Sequence, residues 1–382
     1  MMSGIDLADA IPASACGHSQ GKCVGHSRGR PPPTMTRPSA AALVQYMCNP
    51  MHTALGIYLL RLVGAPAVAQ PPPVLLHGQT VLVAGGTAGI GRAIAGALAA
   101  AGAEVHITGR TKEAGERAAR ELGCTAYHCV DHSNVHEVRR FAERFAIDTL
   151  GGRPLDCLVN NVAMMMNGFE RTSEGHEKAC ALNLIGFHVL TTALLPALER
   201  SACARVVNVV SAGMLLFGLD TSALRDLDDG AAGWAAPGGY DAIRAYALTH
   251  RARVCLTAHW AEQQDARERA GSRAVRFSCA HPGWVETPGL RGADAMRAWY
   301  TLTRATLRTP AEGADTPVWL AAGLDRIGGA GARADKPVFA ARNGAFYWDR
   351  APRATHLPFA RTAESADQLA RLVEFCDARS RA

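Results

Sequence analysis

Aromatic side chains are scarce, at 6% of the chain, and the 40 lysines and arginines gather into no basic stripe. A net charge of +6 spread over 382 residues, without aromatics interleaved among the cations, argues against a nucleic-acid partner. A disulfide framework is absent too. The 11 cysteines are odd in number and dispersed, with Cys157, Cys255 and Cys279 inside apolar runs, which reads as a reducing compartment. Cys16, His18, Cys23 and His26 stand close together, but their spacing fits no zinc-finger pattern, so no metal site is expected. Near the N-terminus, residues 40–69 are largely apolar yet carry Arg61 and are broken by Asn49-Pro50 and Pro66. Their unbroken part falls short of the ~20 residues that a membrane-crossing helix needs.

What is present divides the chain in two. Residues 1–75 are rich in Pro, Gly, Ser and Met and punctuated by Pro31-Pro32-Pro33 and Pro71-Pro72-Pro73, a low-complexity extension. Within it, residues 40–69 are a candidate membrane-surface or targeting segment, with a floppy leader as the alternative; Asp6 and Asp9 argue against a simple transit peptide. With 48% of the chain hydrophobic, residues 76–380 suffice for one α/β domain with a doubly wound parallel sheet, a size class of about 250 to 300 residues.

That domain opens with Thr80 to Ala84, a short β-branched run suited to a buried parallel strand. The turn Gly85-Gly86-Thr87-Ala88-Gly89-Ile90-Gly91 follows, and Arg92 to Gly102 has strong helix formers ending in a glycine C-cap. Strand, glycine turn and helix together make a diphosphate site, because glycines let the backbone approach the ligand and the helix N-terminus offers free N–H groups. A second strand, Glu104 to Thr108, continues the unit. A carboxylate after it would bind an adenosine ribose, whereas a basic residue suits a 2'-phosphate. The chain has Arg110 there and Arg92 beside the last loop glycine, so NADP is expected ahead of NAD, with solvated surface arginines as the alternative. Asp131, after the apolar segment Ala126 to Val130, is a candidate for the adenine edge or a turn former.

Further segments follow in order: Asn160-Asn161-Val162-Ala163, Asn183 in a long helix, Ser211 after Arg205 to Val210, Tyr246 with His250 four residues on, and Pro282-Gly283-Trp284-Val285-Glu286-Thr287. This series resembles the short-chain dehydrogenase/reductase family, from about residue 78 into the early three hundreds. Ser211-Ala212-Gly213-Met214-Leu215, His281-Pro282-Gly283-Trp284 and Thr355-His356-Leu357-Pro358 are similar to its retinol-dehydrogenase-like branch and to the member-twelve group. The resemblance implies a Rossmann fold and a nicotinamide cofactor held by Gly85, Gly89, Ile90, Gly91, Arg92, Arg110, Asp131, Asn160 and Asn161, with Pro282, Gly283 and Thr287 at the nicotinamide. It also implies that Ser211 holds the substrate oxygen, Tyr246 is the acid/base, and Asn183 orients a supporting water.

One residue departs from the pattern. A tyrosine exchanges its proton near neutrality only if positive charge stabilises its phenolate, and the family places a lysine one helical turn later. Here that position holds His250, which at an ordinary pKa near ~6.5 is mostly neutral. Activity is then weakened, moved to lower pH, or absent, and a cofactor-binding sensor or scaffold without turnover is the alternative function. A second pair, Tyr240 and Arg244, has the same spacing and a permanent charge, but Tyr240 follows Pro237-Gly238-Gly239 and is expected in a loop or first turn.

Met164-Met165-Met166, Met214-Leu215-Leu216-Phe217, Trp284 and Leu290 fall near strand ends and imply an apolar pocket for a retinoid, steroid or fatty aldehyde, or else core packing. Ala311 to Leu320 is expected as a helix, Ala345 to Trp348 as an edge strand, and Gln368 to Cys376 as an amphipathic helix that docks on the domain or serves a homo-oligomer.

Overall fold

The computed structural model describes residues 76–324, 342–356 and 362–381. The expectations for residues 1–75, the Cys16 to His26 group and the 40–69 segment among them, lie outside the described residues. Within the domain the sheet is built from β1 (Thr80–Ala84), β2 (Glu104–Gly109), β3 (Ala126–Cys129), β4 (Cys157–Asn160), β5 (Arg205–Val209) and β6 (Arg276–His281), of which β1, β4 and β5 are buried along their whole length and the outer β3 is half-buried to exposed. β7 (Phe346–Trp348) and β8 (Ala351–Arg353) complete an eight-stranded sheet in the order β3-β2-β1-β4-β5-β6-β7-β8. All pairs are parallel except β7 with β8.

Alternation along the strands sorts side chains into two cores. Val81 and Val83 of β1, with Val105 and Ile107 of β2, point to one face, where α1 (Gly89–Ala100), α2 (Lys112–Leu122) and α7 (Pro310–Ala321) cover them. Leu82 and Ala84 point to the other face, under α3 (Val135–Arg144), α4 (Lys178–Leu198), α6 (Ala242–Arg269) and α8 (Ala366–Arg381), with α5 (Thr221–Asp229) packed among them. α4 is long and apolar enough to cross a membrane, but 78% of its most apolar window is buried inside the protein, which makes it a core helix. It contains a π-helical stretch, Ala181–Ile185, where Asn183 sits.

The expected edge strand is not at the edge. β8 adds to β7 through Asp349 and Arg350, both at positive φ (50° and 57°), the backbone of a tight hairpin. The expected helices occur at Pro310–Ala321 and Ala366–Arg381, the second longer at both ends than its apolar pattern indicated. From β1 the chain crosses to β2 on one side and later returns to β4 on the other, so a crevice opens between their C-terminal ends.

Candidate active site

The glycine turn leaves β1 into that crevice. Gly85 and Gly89 adopt φ of +78° and +54°, the left-handed region that favours glycine. Gly91 has an ordinary backbone but no room: a Cβ there would overlap the Gly85 carbonyl oxygen and lie 2.5 Å from Asn161 Nδ2. Gly85 N–H donates to Thr108 Oγ1 and Gly86 N–H to the Thr108 carbonyl, both at 3.1 Å, while Asn161 Nδ2 donates to the Gly85 carbonyl at 3.1 Å. α1 begins without a side-chain cap and without an acid in its first turn, so its leading N–H groups are left for an anion. Ile90, half-buried, packs on the apolar cluster beneath.

The basic and acidic residues around the turn divide. Arg92 pairs with Glu121 of α2 at 2.8 Å, whereas Arg110 is exposed past β2 with no ion pair among the described residues. The Asp131 carboxylate accepts from the Ser133 N–H at 2.9 Å and its hydroxyl at 2.8 Å, the local bonding of a turn former.

The two neighbouring asparagines have different surroundings. Asn160 is 3% exposed, and its Nδ2 donates to Thr191 Oγ1 (3.0 Å) and Asn208 Oδ1 (2.9 Å), bracing β4 against α4 and β5. Asn161, one residue on, faces Gly85 instead. Asn183 uses both ends of its amide on one residue, accepting from Met164 N–H (2.9 Å) and donating to the Met164 carbonyl (3.0 Å), which fixes the segment after β4. Its Nδ2 also reaches Thr249 Oγ1 of α6 at 3.4 Å.

α6 brings two of the expected site residues, Tyr246 and His250, to the end of β5. Asp241 caps it by accepting from Arg244 N–H (2.9 Å), which puts Tyr246 and His250 one turn apart inside the helix, with ring centroids 4.3 Å apart. His250 Nδ1 accepts the Ser211 N–H at 3.1 Å. A ring nitrogen that accepts carries no proton, so the neutral imidazole is protonated at Nε2, which is buried and has no hydrogen-bond partner. Burial pushes the His250 pKa well below its ordinary value, with the charges of Arg253 and His281 adding to it. Burial also pushes the half-buried Tyr246 phenol up to about 12, against the pull of Arg253. Ser211 Oγ accepts from Gly213 N–H at 3.2 Å, which leaves its own proton to donate.

Tyr240 lies before the cap and is engaged elsewhere. Its hydroxyl donates to Glu177 Oε1 at 3.1 Å, and its ring packs with Trp234, whose face Arg244 covers. The Tyr240–Arg244 pair therefore does not meet Ser211.

The loop after β6 closes the crevice. Thr287 packs on Gly89, since a Cβ at that glycine would lie 3.4 Å from Thr287 Cγ2, and its Oγ1 caps a short helix by accepting from Leu290 N–H at 3.2 Å. Gly283, at φ +82°, lets the chain pass Arg308, which donates to the Pro282 carbonyl (3.4 Å) and holds Asp349 with two bonds (2.7 and 3.0 Å). The apolar rim splits between core and opening. Met166, Met214 and Leu215 are buried, while Met164, Met165, Phe217, Trp284 and Leu290 are half-buried, with Trp284 against Trp299 at 4.3 Å.

Sequence reasoning passed over Arg253. It lies seven residues after Tyr246, fully buried, donating to the carbonyls of Val162 (3.0 Å) and Asn160 (3.1 Å), with its guanidinium 4.4 Å from the Phe187 ring centre. The i, i+7 spacing on one helical face was the available signal.

Comparison with known proteins agrees with this geometry. The family model for short chain dehydrogenases matches residues 79–217. The chain is 36% identical over 310 residues to dehydrogenase/reductase SDR family member 12 of Bos taurus, covering 80% of this chain and 87% of that protein. It is 31% identical over 264 residues to retinol dehydrogenase 11 of Homo sapiens, covering 67% and 77%. Among solved structures, an uncharacterised protein from Mycobacterium paratuberculosis matches at a TM-score of 0.57 and 25% identity, covering 82% of this chain and 97% of that one. With its parallel sheet and glycine turn, the chain belongs to the short-chain dehydrogenase/reductase family, oxidoreductases that act on small molecules with a nicotinamide cofactor.

Proposed function

We propose that this protein interconverts an apolar carbonyl and its alcohol, of the retinoid, steroid or lipid-aldehyde class, with NADP as the cofactor and Tyr246 as acid/base. The observation that carries this reading is the contact of His250 Nδ1 with the Ser211 N–H beside the Tyr246 ring, which gathers the three residues at the end of β5. The cradle fits the cofactor by its own features: Gly91 has no space for a Cβ, α1 starts uncapped, and His250 Nε2 is a buried donor with no partner. The glycine turn and α1 would hold the diphosphate, Arg110 and Arg92 the 2'-phosphate, the Pro282 to Thr287 loop the nicotinamide end, and His250 Nε2–H a hydroxyl of the adjoining ribose. When bound, NADPH supplies the hydride. Ser211 then donates its hydroxyl proton in a hydrogen bond to the carbonyl oxygen, and Tyr246 delivers the proton that completes the alcohol. The half-buried Met164, Met165, Phe217 and Trp284 support an apolar substrate, as does the name of one relative, a retinol dehydrogenase.

A specific observation favours a second reading. His250 is held neutral, so the lysine-like charge is missing from its position, and a cofactor-binding sensor or scaffold would need none. Titration with NADPH and NADH by cofactor fluorescence, then addition of retinal across pH 5 to 9, separates the two. Turnover that drops by about 10²-fold or more in Tyr246→Phe, with NADPH affinity retained, is the expected result. Tight NADPH binding without turnover of any aldehyde or alcohol selects the sensor.

A further inference from the structure

Resting on the oxidoreductase reading, we propose that Arg253 is a positioning residue of the reaction: it supplies the fixed positive charge that position 250 lacks and biases Tyr246 toward the phenolate. Tyr246, His250 and Arg253 are spaced i, i+4 and i+7, so they share one face of α6, and helical side chains lean toward the N-terminus, which carries the guanidinium back toward the tyrosine.

The surroundings of Arg253 set it apart from its neighbour. Arg251 and Arg253 are both 0% exposed, but Arg251 is neutralised by Glu364 at 2.6 Å. Arg253 has no carboxylate partner among the described residues; it meets two carbonyl oxygens and the face of Phe187, and its Nε has no partner. An unpaired buried charge is costly, and a site that generates an anion nearby is a place where it is compensated. The two carbonyls it holds, Asn160 and Val162, flank Asn161, which binds the Gly85 carbonyl, so the charge is anchored to the cofactor cradle.

The other titratable groups around it are His250 on α6, His281 and Cys279 on β6, and His132 after β3. Burial holds His250 neutral, keeps His132 neutral down to about 4 and pushes the Cys279 thiol up to about 12. Arg253 stays a cation at neutral pH even though burial lowers its pKa to about 10. As a substrate carbonyl takes hydride at carbon and the Tyr246 proton at oxygen, the phenolate left behind shares its helix face with this cation until solvent returns the proton.

The test reads Tyr246 directly. A polyfluorinated tyrosine placed at position 246 of the full-length protein, whose ring fluorines lower the phenol pKa so that it ionises while Arg253 is still a cation, reports its own ionisation through its ¹⁹F shift, with or without turnover. Arg253→Gln is expected to raise the ionisation midpoint by about one pH unit, a roughly tenfold loss of phenolate at a fixed pH below it. Adding His250→Lys to Arg253→Gln should return the midpoint toward the wild-type value. The kcat profile for alcohol oxidation should move to higher pH in step with the midpoint. An unmoved midpoint in folded Arg253→Gln overturns the role of Arg253 and leaves the oxidoreductase reading standing, whereas wild-type protein without turnover defeats that reading alone. Should Arg253→Gln fail to fold, Arg253→Met carries the test: a midpoint raised by about one pH unit supports the charge role, and an unmoved midpoint overturns it.

Discussion

A single methyl group is enough to probe the cradle. In Gly91→Ala the new Cβ collides with backbone, the Gly85 carbonyl, and with the Asn161 amide that holds it, so neither neighbour yields without opening the turn. The expected result is a loss of about 1 to 3 kcal/mol in stability and at least a roughly tenfold weaker NADPH affinity, read by thermal unfolding and fluorescence titration. An affinity within a factor of two of wild type would mean that the turn does not face the cofactor. The sequence made Gly85, Gly91, Ser211 and Tyr246 legible as candidates because each sits at a fixed offset from a strand end or helix start. It did not separate Asn160 from Asn161, although the alternation of strand side chains puts one into the sheet and the other toward the turn. Arg253 stayed hidden for a different reason: spacing gives its helical face, but only packing reveals that no carboxylate meets it.

Elements carry a pH signature of their own. Glu177 caps α4 by accepting from Cys180 N–H at 2.9 Å, takes the Tyr240 hydroxyl at 3.1 Å, and donates its own N–H to Asp228 Oδ1 at 2.9 Å. Burial raises its pKa from the ordinary 4.5 to about 7, against the hydrogen bonds from Cys180 and Tyr240. Between these values the folded state binds the proton that the unfolded state has lost, so this group's contribution to stability declines as pH rises from 4.5 to 7. Glu177→Gln removes that decline. Relative to wild type, the variant should gain about 2 to 3 kcal/mol between pH 5 and pH 8, measured as the change in urea-unfolding free energy. A difference that stays flat with pH would show that Glu177 is ionised in the folded protein throughout. Legibility also varied by element. β1 was legible as a β-branched run and β3 as an apolar segment, with β2 continuing the unit and β5 preceding Ser211. β8, with the sequence Ala351-Pro352-Arg353, was not, because proline and an exposed arginine suit the edge that it forms among the described strands.

Over the whole molecule, the sheet owes one of its two cores to a helix far from it in sequence. α8 sends Leu372, Phe375 and Cys376, at 0%, 3% and 0% exposure, into the cluster shared by α4, α5 and α6. Polar bonds fix the same docking: Asp377 Oδ1 meets His188 Nε2 of α4 at 2.8 Å, and Arg379 meets Asp228 of α5 at 3.1 Å. The apolar face read from the sequence is thus covered by the chain's own helices. Phe375→Ala would leave a cavity in that shared cluster and should cost about 3 to 5 kcal/mol, a large share of the 5 to 15 kcal/mol that holds a typical domain together. The apolar cluster that holds Phe375 includes none of Gly85, Gly91, Ser211, Tyr246 and His250, so NADPH affinity measured well below the unfolding midpoint should stay within a factor of two. A loss under about 1 kcal/mol would mean that α8 is not docked in solution. A full loss of stability accompanied by weakened binding would mean that α8 holds α6, and with it Tyr246 and His250, in register with β5.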